Sequence, residues 1–157
     1  MLERVTSTAT DPLALDRQVC FALAVTNRTV LAVYRPLLEP MGLTHPQYLV
    51  MLALWEQSPR SVKNIGAALH LDSPTLSPLL KRLEGNGLVE RTRSQADERQ
   101  LAVALTEKGV ALRTQAEGIP GAVVAKLGVD MSELEELHRV LTRINAAALA
   151  ADRSEQV

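Results

Sequence analysis

The chain has 157 residues, with 46% hydrophobic and 22% charged content and a formal net charge of −1. These values suit one globular domain with a core of its own, and no apolar run reaches the roughly 18 residues of a transmembrane helix. A single cysteine excludes an intrachain disulfide and a multi-cysteine zinc site, and His45, His70 and His138 have no metal-ligand spacing.

Residues 1–11 are rich in Thr and Ser and lack a hydrophobic signal core, which predicts a frayed start and a cytoplasmic protein. A helix is expected from near Asp11 or Asp16 to about Leu38. Its centre (Val19, Cys20, Phe21, Ala22, Leu23, Ala24, Val25) is apolar on every side, so it needs cover all round, and a second subunit is the natural source. Pro36 and Pro40 are expected to stop it. Thr44-His-Pro-Gln47 has the form of a capping box, opening a helix to about Gln57 that carries Leu49, Leu52, Ala53 and Trp55 or Glu56.

The next stretch, 61–106, reads as two short helices, a tight turn and a hairpin. Val62, Ile65, Ala68 and Leu69 share one face of the first helix, and Leu76, Leu79, Leu80 and Leu83 one face of the second. His70-Leu-Asp72 joins them, with Asp72 or Ser73 as N-cap and Pro74 in the first turn. Two helices this closely joined match a helix-turn-helix, whose second helix enters the major groove. Gly85-Asn-Gly87 suits the end of that helix. Strands follow at about 88–93 and 99–105, the second alternating at Leu101, Val103 and Leu105. The segment 94–98 between them is a wing.

Five basic residues (Lys81, Arg82, Arg91, Arg93, Arg99) and four acidic ones (Glu84, Glu90, Asp97, Glu98) lie between 81 and 99. A net charge of −1 is not the footprint of a basic domain, so duplex binding has to rest on local placement and on a second subunit that doubles the contacts. Ser73, Thr75 and Ser77, early in the second helix, are the candidates for base edges; Lys81 and Arg82 suit phosphates, with Arg91 and Arg93 on the wing strand as further cations. For each basic residue the competing reading is a solvated surface charge.

A further helix is expected from Thr106 to about Glu117, interrupted at Gly118-Ile-Pro-Gly121 and resumed over 122–127. Ser132-Glu-Leu-Glu135 has the capping-box pattern for a last helix striped with Leu134, Leu137, Leu141, Ile144 and Ala148. The chain thus reads as one mainly α (α+β) domain, 1–157: a winged helix-turn-helix over 44–106 between dimerisation helices at 12–40 and 107–150. Without a phosphate loop, nucleophile elbow or carboxylate constellation it does not read as an enzyme, and neither a cofactor nor a metal is expected.

This order of elements resembles the MarR family of bacterial regulators across essentially the whole chain. Gln18-Val-Cys-Phe-Ala-Leu23, Tyr34-Arg-Pro-Leu-Leu38, Pro46-Gln-Tyr-Leu-Val50, Leu76-Ser-Pro-Leu-Leu-Lys-Arg-Leu83 and Asp97-Glu-Arg99 are similar to its organic hydroperoxide resistance regulators, the OhrR type. The resemblance implies a homodimeric repressor on a palindromic DNA duplex, induced by an organic hydroperoxide. It makes Cys20 the sensor and Tyr34 one of the hydroxyls that hold it, and it sends Arg99 into the minor groove, oriented by Asp97. The family's second sensing tyrosine is His45 here, a departure that bears on peroxide specificity; the helix dipole at that position disfavours imidazolium. With no second cysteine, the chain resembles the one-cysteine members. Fourteen helical residues span about 21 Å, so Tyr34 reaches Cys20 only from an antiparallel partner. Two rival readings are a MarR-type regulator released by a small aromatic or lipophilic ligand, with Cys20 a small core residue, and a thiol peroxidase. A third is a protein-interaction module that no longer binds DNA.

Overall fold

The computed structural model describes residues 11–93 and 101–154. The chain divides into two compact units, Met1–Gln115 and Ala116–Val157. In the first, a 3-10 turn at Leu15–Arg17 precedes α1 (Val19–Leu38), a second at Glu39–Met41 leads to α2 (His45–Glu56), and β1 (Arg60–Ser61), α3 (Val62–Leu69), α4 (Ser73–Gly85), β2 (Val89–Arg93), β3 (Leu101–Leu105) and all but the last residue of α5 (Glu107–Ala116) follow. The second holds α6 (Ile119–Leu127) and α7 (Met131–Ser154).

Local chemistry explains most of the boundaries. Gln47 Oε1 accepts the Thr44 N–H at 2.9 Å, the reach-back half of the capping box that opens α2. Ser61 Oγ accepts from Asn64 N at 3.1 Å to start α3, and Asp72 Oδ1 accepts from Thr75 N at 2.9 Å to start α4. Three expectations are corrected. α1 begins at Val19, later than Asp11 or Asp16, because Leu15–Arg17 forms a 3-10 turn; it ends at Leu38 as expected, with Pro36 inside its last turn, where a proline removes one backbone donor, and the chain leaves through the turn that ends at Gly42, φ 66°. The interruption after α5 is confined to the two residues 117 and 118, because Pro120 needs no amide partner in the first turn of α6. The last helix starts on Asp130, not Ser132: Glu133 Oε2 accepts the Asp130 N–H at 3.1 Å, and α7 runs from Met131.

The sheet has the order β1-β3-β2, all antiparallel. Its two-residue first strand falls where the sequence predicted only a connection; Arg60 pairs with Val103 and Ser61 with Ala102. In β2–β3, Val89 faces Leu105 and Arg91 faces Val103, so Val89, Arg91 and Val103 share one face. That face turns to a core built from Leu38, Met51, Leu54, Ile65, Leu76, Leu80, Leu83, Val89 and Val103, all nearly inaccessible. Of the expected α3 face, Ile65 is buried, Val62 and Leu69 partly so, and Ala68 is exposed. Gly66 is buried in its place, because a Cβ there would lie 2.8 Å from the Leu71 carbonyl oxygen.

Candidate functional site

α4 splits into two faces. Leu76, Leu80 and Leu83 are buried, whereas Ser73, Thr75, Ser77, Lys81 and Arg82 are all exposed. Thr75 and Arg82 stand seven residues apart and Ser77 and Lys81 four apart, so they form rows along the outer surface. The helix runs unbroken through Pro78. The turn before it is tight: His70 adopts the left-handed conformation at φ 53°, and Leu71 N donates to the Gly66 carbonyl at 2.9 Å. Five predicted DNA residues thus stand together on one open helix surface, braced from behind by three leucines.

β2 and the start of α5 are tied to the end of this helix and to α2 by a set of polar contacts. Arg91 donates to Glu84 Oε2 through Nη2 at 2.6 Å and Nε at 3.0 Å. The guanidinium, chiefly through that hydrogen bond, holds the Glu84 carboxyl below its ordinary 4.5. Thr106 Oγ1 donates to the Gly87 carbonyl at 2.6 Å and accepts from Gly109 N at 3.1 Å, and Lys108 Nζ donates to the Asn86 carbonyl at 2.8 Å. Trp55 Nε1 donates to the Gly109 carbonyl at 2.9 Å. The predicted cation Arg91 therefore already has a partner, while Arg93 stands exposed at the end of β2. Asp97 and Arg99 lie outside the described residues.

The other predicted cluster divides. Cys20, the second residue of α1, is exposed, and so is every residue from 19 to 24; Leu38 is the one buried residue of that helix. Tyr34 lies fourteen residues on along the same continuous helix, about 21 Å at the usual rise. Tyr34 and His45 do come together, ring centroids 4.9 Å apart and edge to face, with Tyr48 at 6.1 Å from Tyr34. Burial pushes the His45 imidazole below its ordinary 6.5, so it is neutral at pH 7. Burial also pushes the Tyr48 phenol up, helped by the neighbouring Tyr34.

Beside this aromatic group opens a cleft of about 570 Å³. Leu31, Leu38 and Leu43 line it, and Arg35, Thr44 and His45 stand at its polar side. Sequence reasoning did not find the cleft, nor the pairing of Glu84 with Arg91; the one available signal for the second was an arginine on the inward face of β2. Among the described residues no group of three His, Cys, Asp or Glu is placed to hold a metal, and no helix is long and apolar enough to cross a membrane.

A profile described as transcriptional regulator SarA/Rot matches residues 32–115. The chain is 42% identical over 128 residues to the organic hydroperoxide resistance transcriptional regulator of Bacillus subtilis, covering 80% of this chain and 87% of that one. Among solved structures it is similar to reduced AbfR bound to DNA, AbfR being a protein of Staphylococcus epidermidis (TM-score 0.71, 35% identity, 86% of this chain and 94% of the other). It is also similar to CouR of Rhodococcus jostii RHA1 bound to p-coumaroyl-CoA (TM-score 0.72, 28% identity, 84% and 94% covered).

Proposed function

The chain belongs to the MarR family of winged-helix transcriptional regulators, and from that premise we propose that it is a homodimeric repressor which leaves its DNA when Cys20 is oxidised by an organic hydroperoxide. The observation that carries this reading is Cys20 itself, exposed on a stretch of α1 that is apolar and uncovered in the single chain. Val19, Phe21 and Leu23 on α1, and Leu137, Ile144 and Leu149 on α7, are exposed large apolar side chains that a second copy would bury. In an antiparallel pairing of the α1 helices, the Tyr34–His45 pair of one protomer meets the Cys20 end of the other.

The chemistry needs only the thiol and the peroxide. The sulfur attacks one oxygen of R–O–O–H, the O–O bond breaks, and the products are the cysteine sulfenic acid and the alcohol R–OH. The neutral imidazole of His45 and the phenol of Tyr34 can hydrogen-bond the new S–OH. A polar group created in a packed apolar interface repacks it, and the repacking turns the two α4 helices out of successive major grooves. Ser73, Thr75 and Ser77 read base edges in this scheme; Lys81, Arg82 and Arg93 hold phosphates; and Arg99, oriented by Asp97, enters the minor groove. The operator is a palindromic duplex, matching the two-fold axis of the protein.

The test is fluorescence anisotropy on a duplex enriched by the protein from a random pool, with and without one equivalent of cumene hydroperoxide, for wild type and Cys20→Ser. Release of the wild type alone supports the reading; binding untouched by peroxide in both rejects it. The cleft favours a second reading, in which an aromatic or acyl ligand with an anionic end enters beside Arg35 and His45 and acts as the inducer. Release of the Cys20→Ser protein by such a compound would establish that alternative.

A further inference from the structure

Arg91 has the sequence position of a wing cation, yet its surroundings are those of an internal brace. It lies on the face of β2 that carries Val89, opposite Val103 on β3, and both of those residues are buried. Its side chain is 29% exposed and that of Glu84 37%, so the pair is partly shielded from water and salt. Both short bonds converge on one oxygen of Glu84, in the last turn of α4, next to the buried Leu83. From there the chain turns through Gly87, φ 71°, directly into Leu88 and β2. The pair therefore closes the eight-residue stretch 84–91 between the end of the helix that reads DNA and the strand that follows it.

We propose that the Glu84–Arg91 ion pair is a strut that sets the angle of β2 to α4, and that Arg91 acts on DNA affinity as a positioning residue, not by neutralising a phosphate. This role rests on duplex binding by α4 and the wing. Lys81, Arg82 and Arg93, all exposed, remain as cations on α4 and β2 for the backbone. A second consequence separates the two roles of Arg91. If it met a phosphate, Glu84 would be a repulsive charge near the duplex, and removing that charge would tighten binding. If it is half of a strut, Glu84 is as necessary for affinity as Arg91.

The experiment measures Kd against salt on a duplex enriched by the wild-type protein from a random-sequence pool. The proteins are wild type, Glu84→Gln, Arg91→Gln and the exchange Glu84→Arg/Arg91→Glu, with far-UV circular dichroism to verify folding. A strut predicts that each single variant binds about threefold to tenfold more weakly, with both protomers of the proposed dimer affected. The slope of log K against log salt stays that of wild type, because no phosphate contact is lost. The exchanged pair recovers much of the affinity. Glu84→Gln binding as tightly as wild type or more tightly, or an Arg91→Gln slope shallower by about one per protomer, overturns the strut. Amide hydrogen exchange over 89–93 gives a readout without DNA: Glu84→Gln speeds it if the strut holds and leaves it unchanged if it does not. A wild-type protein that binds no duplex would refute the DNA-binding reading, and the exchange rates would still decide the strut.

Discussion

Replacing Gly109 by alanine should be the most damaging one-methyl change in the first unit. A Cβ at this position would stand 2.1 Å from the Leu88 carbonyl oxygen, 3.1 Å from its carbon and 3.2 Å from a Leu105 methyl. The obstacle is backbone, so no side chain can swing aside; α5 or the start of β2 has to move by about 1.3 Å to restore ordinary contact at 3.4 Å. That displacement falls on bonds anchored at the same place: Thr106 N to the Leu88 carbonyl at 3.1 Å and Trp55 Nε1 to the Gly109 carbonyl at 2.9 Å. Overpacking costs about 1–3 kcal/mol and each strained bond about 1 kcal/mol, against about 1 kcal/mol gained from alanine in a helix. The net loss is about 2–4 kcal/mol, a fall in Tm of about 5–15 °C for a chain of this size. Thermal unfolding at one fixed protein concentration measures it, since dimerisation would make Tm depend on concentration. Gly121→Ala is the control: it lies within α6, a Cβ there meets nothing within 4 Å, and it should leave Tm unchanged or slightly raised. A Gly109→Ala protein as stable as the control would refute the close approach of α5 to Leu88.

Four other outcomes are expected. His70→Gly should stabilise by about 0.5 kcal/mol, because the left-handed conformation at φ 53° strains a Cβ more than glycine costs in chain entropy; a lower Tm would contradict it. The Asp72 carboxyl is held below its ordinary 3.8 by the hydrogen bonds from Thr75, so its contribution to α4 is present above pH 3.8 and lost as pH falls through the lowered value; acid titration of Asp72→Asn should lack that component. Lys81→Gln should weaken binding to unrelated duplexes alike and make the salt slope shallower by about one per protomer, whereas Thr75→Ala should change the preferred sequence.

The readable parts of this chain were those that act over a few residues. Leucines at spacings of three and four on α4 named the buried face, Asp72 the start of that helix, and Gln47 the reach-back that opens α2. The pairing of Arg60 with Val103 was not readable, because a two-residue strand has no period of its own and exists through a partner 43 residues away. The capping of α7 went to Asp130 and Glu133 although Ser132 and Glu135 have the same spacing; two overlapping cap signals are equivalent until the chain before them takes a direction.

For the site, sequence by itself named the candidates: one cysteine in an apolar stretch of a helix, hydroxyls and cations on a helix after a tight turn, and a histidine in the first turn of another helix. Tertiary structure decided which of them meet. It set His45 against Tyr34, engaged Arg91 with Glu84 while leaving Lys81, Arg82 and Arg93 open, and left Cys20 uncovered on α1. The physical reason is range. Helix periodicity and capping are settled by bonds across three or four residues, whereas an ion pair or an aromatic contact is settled by where two elements, each indifferent to the other in sequence, are carried by the core between them.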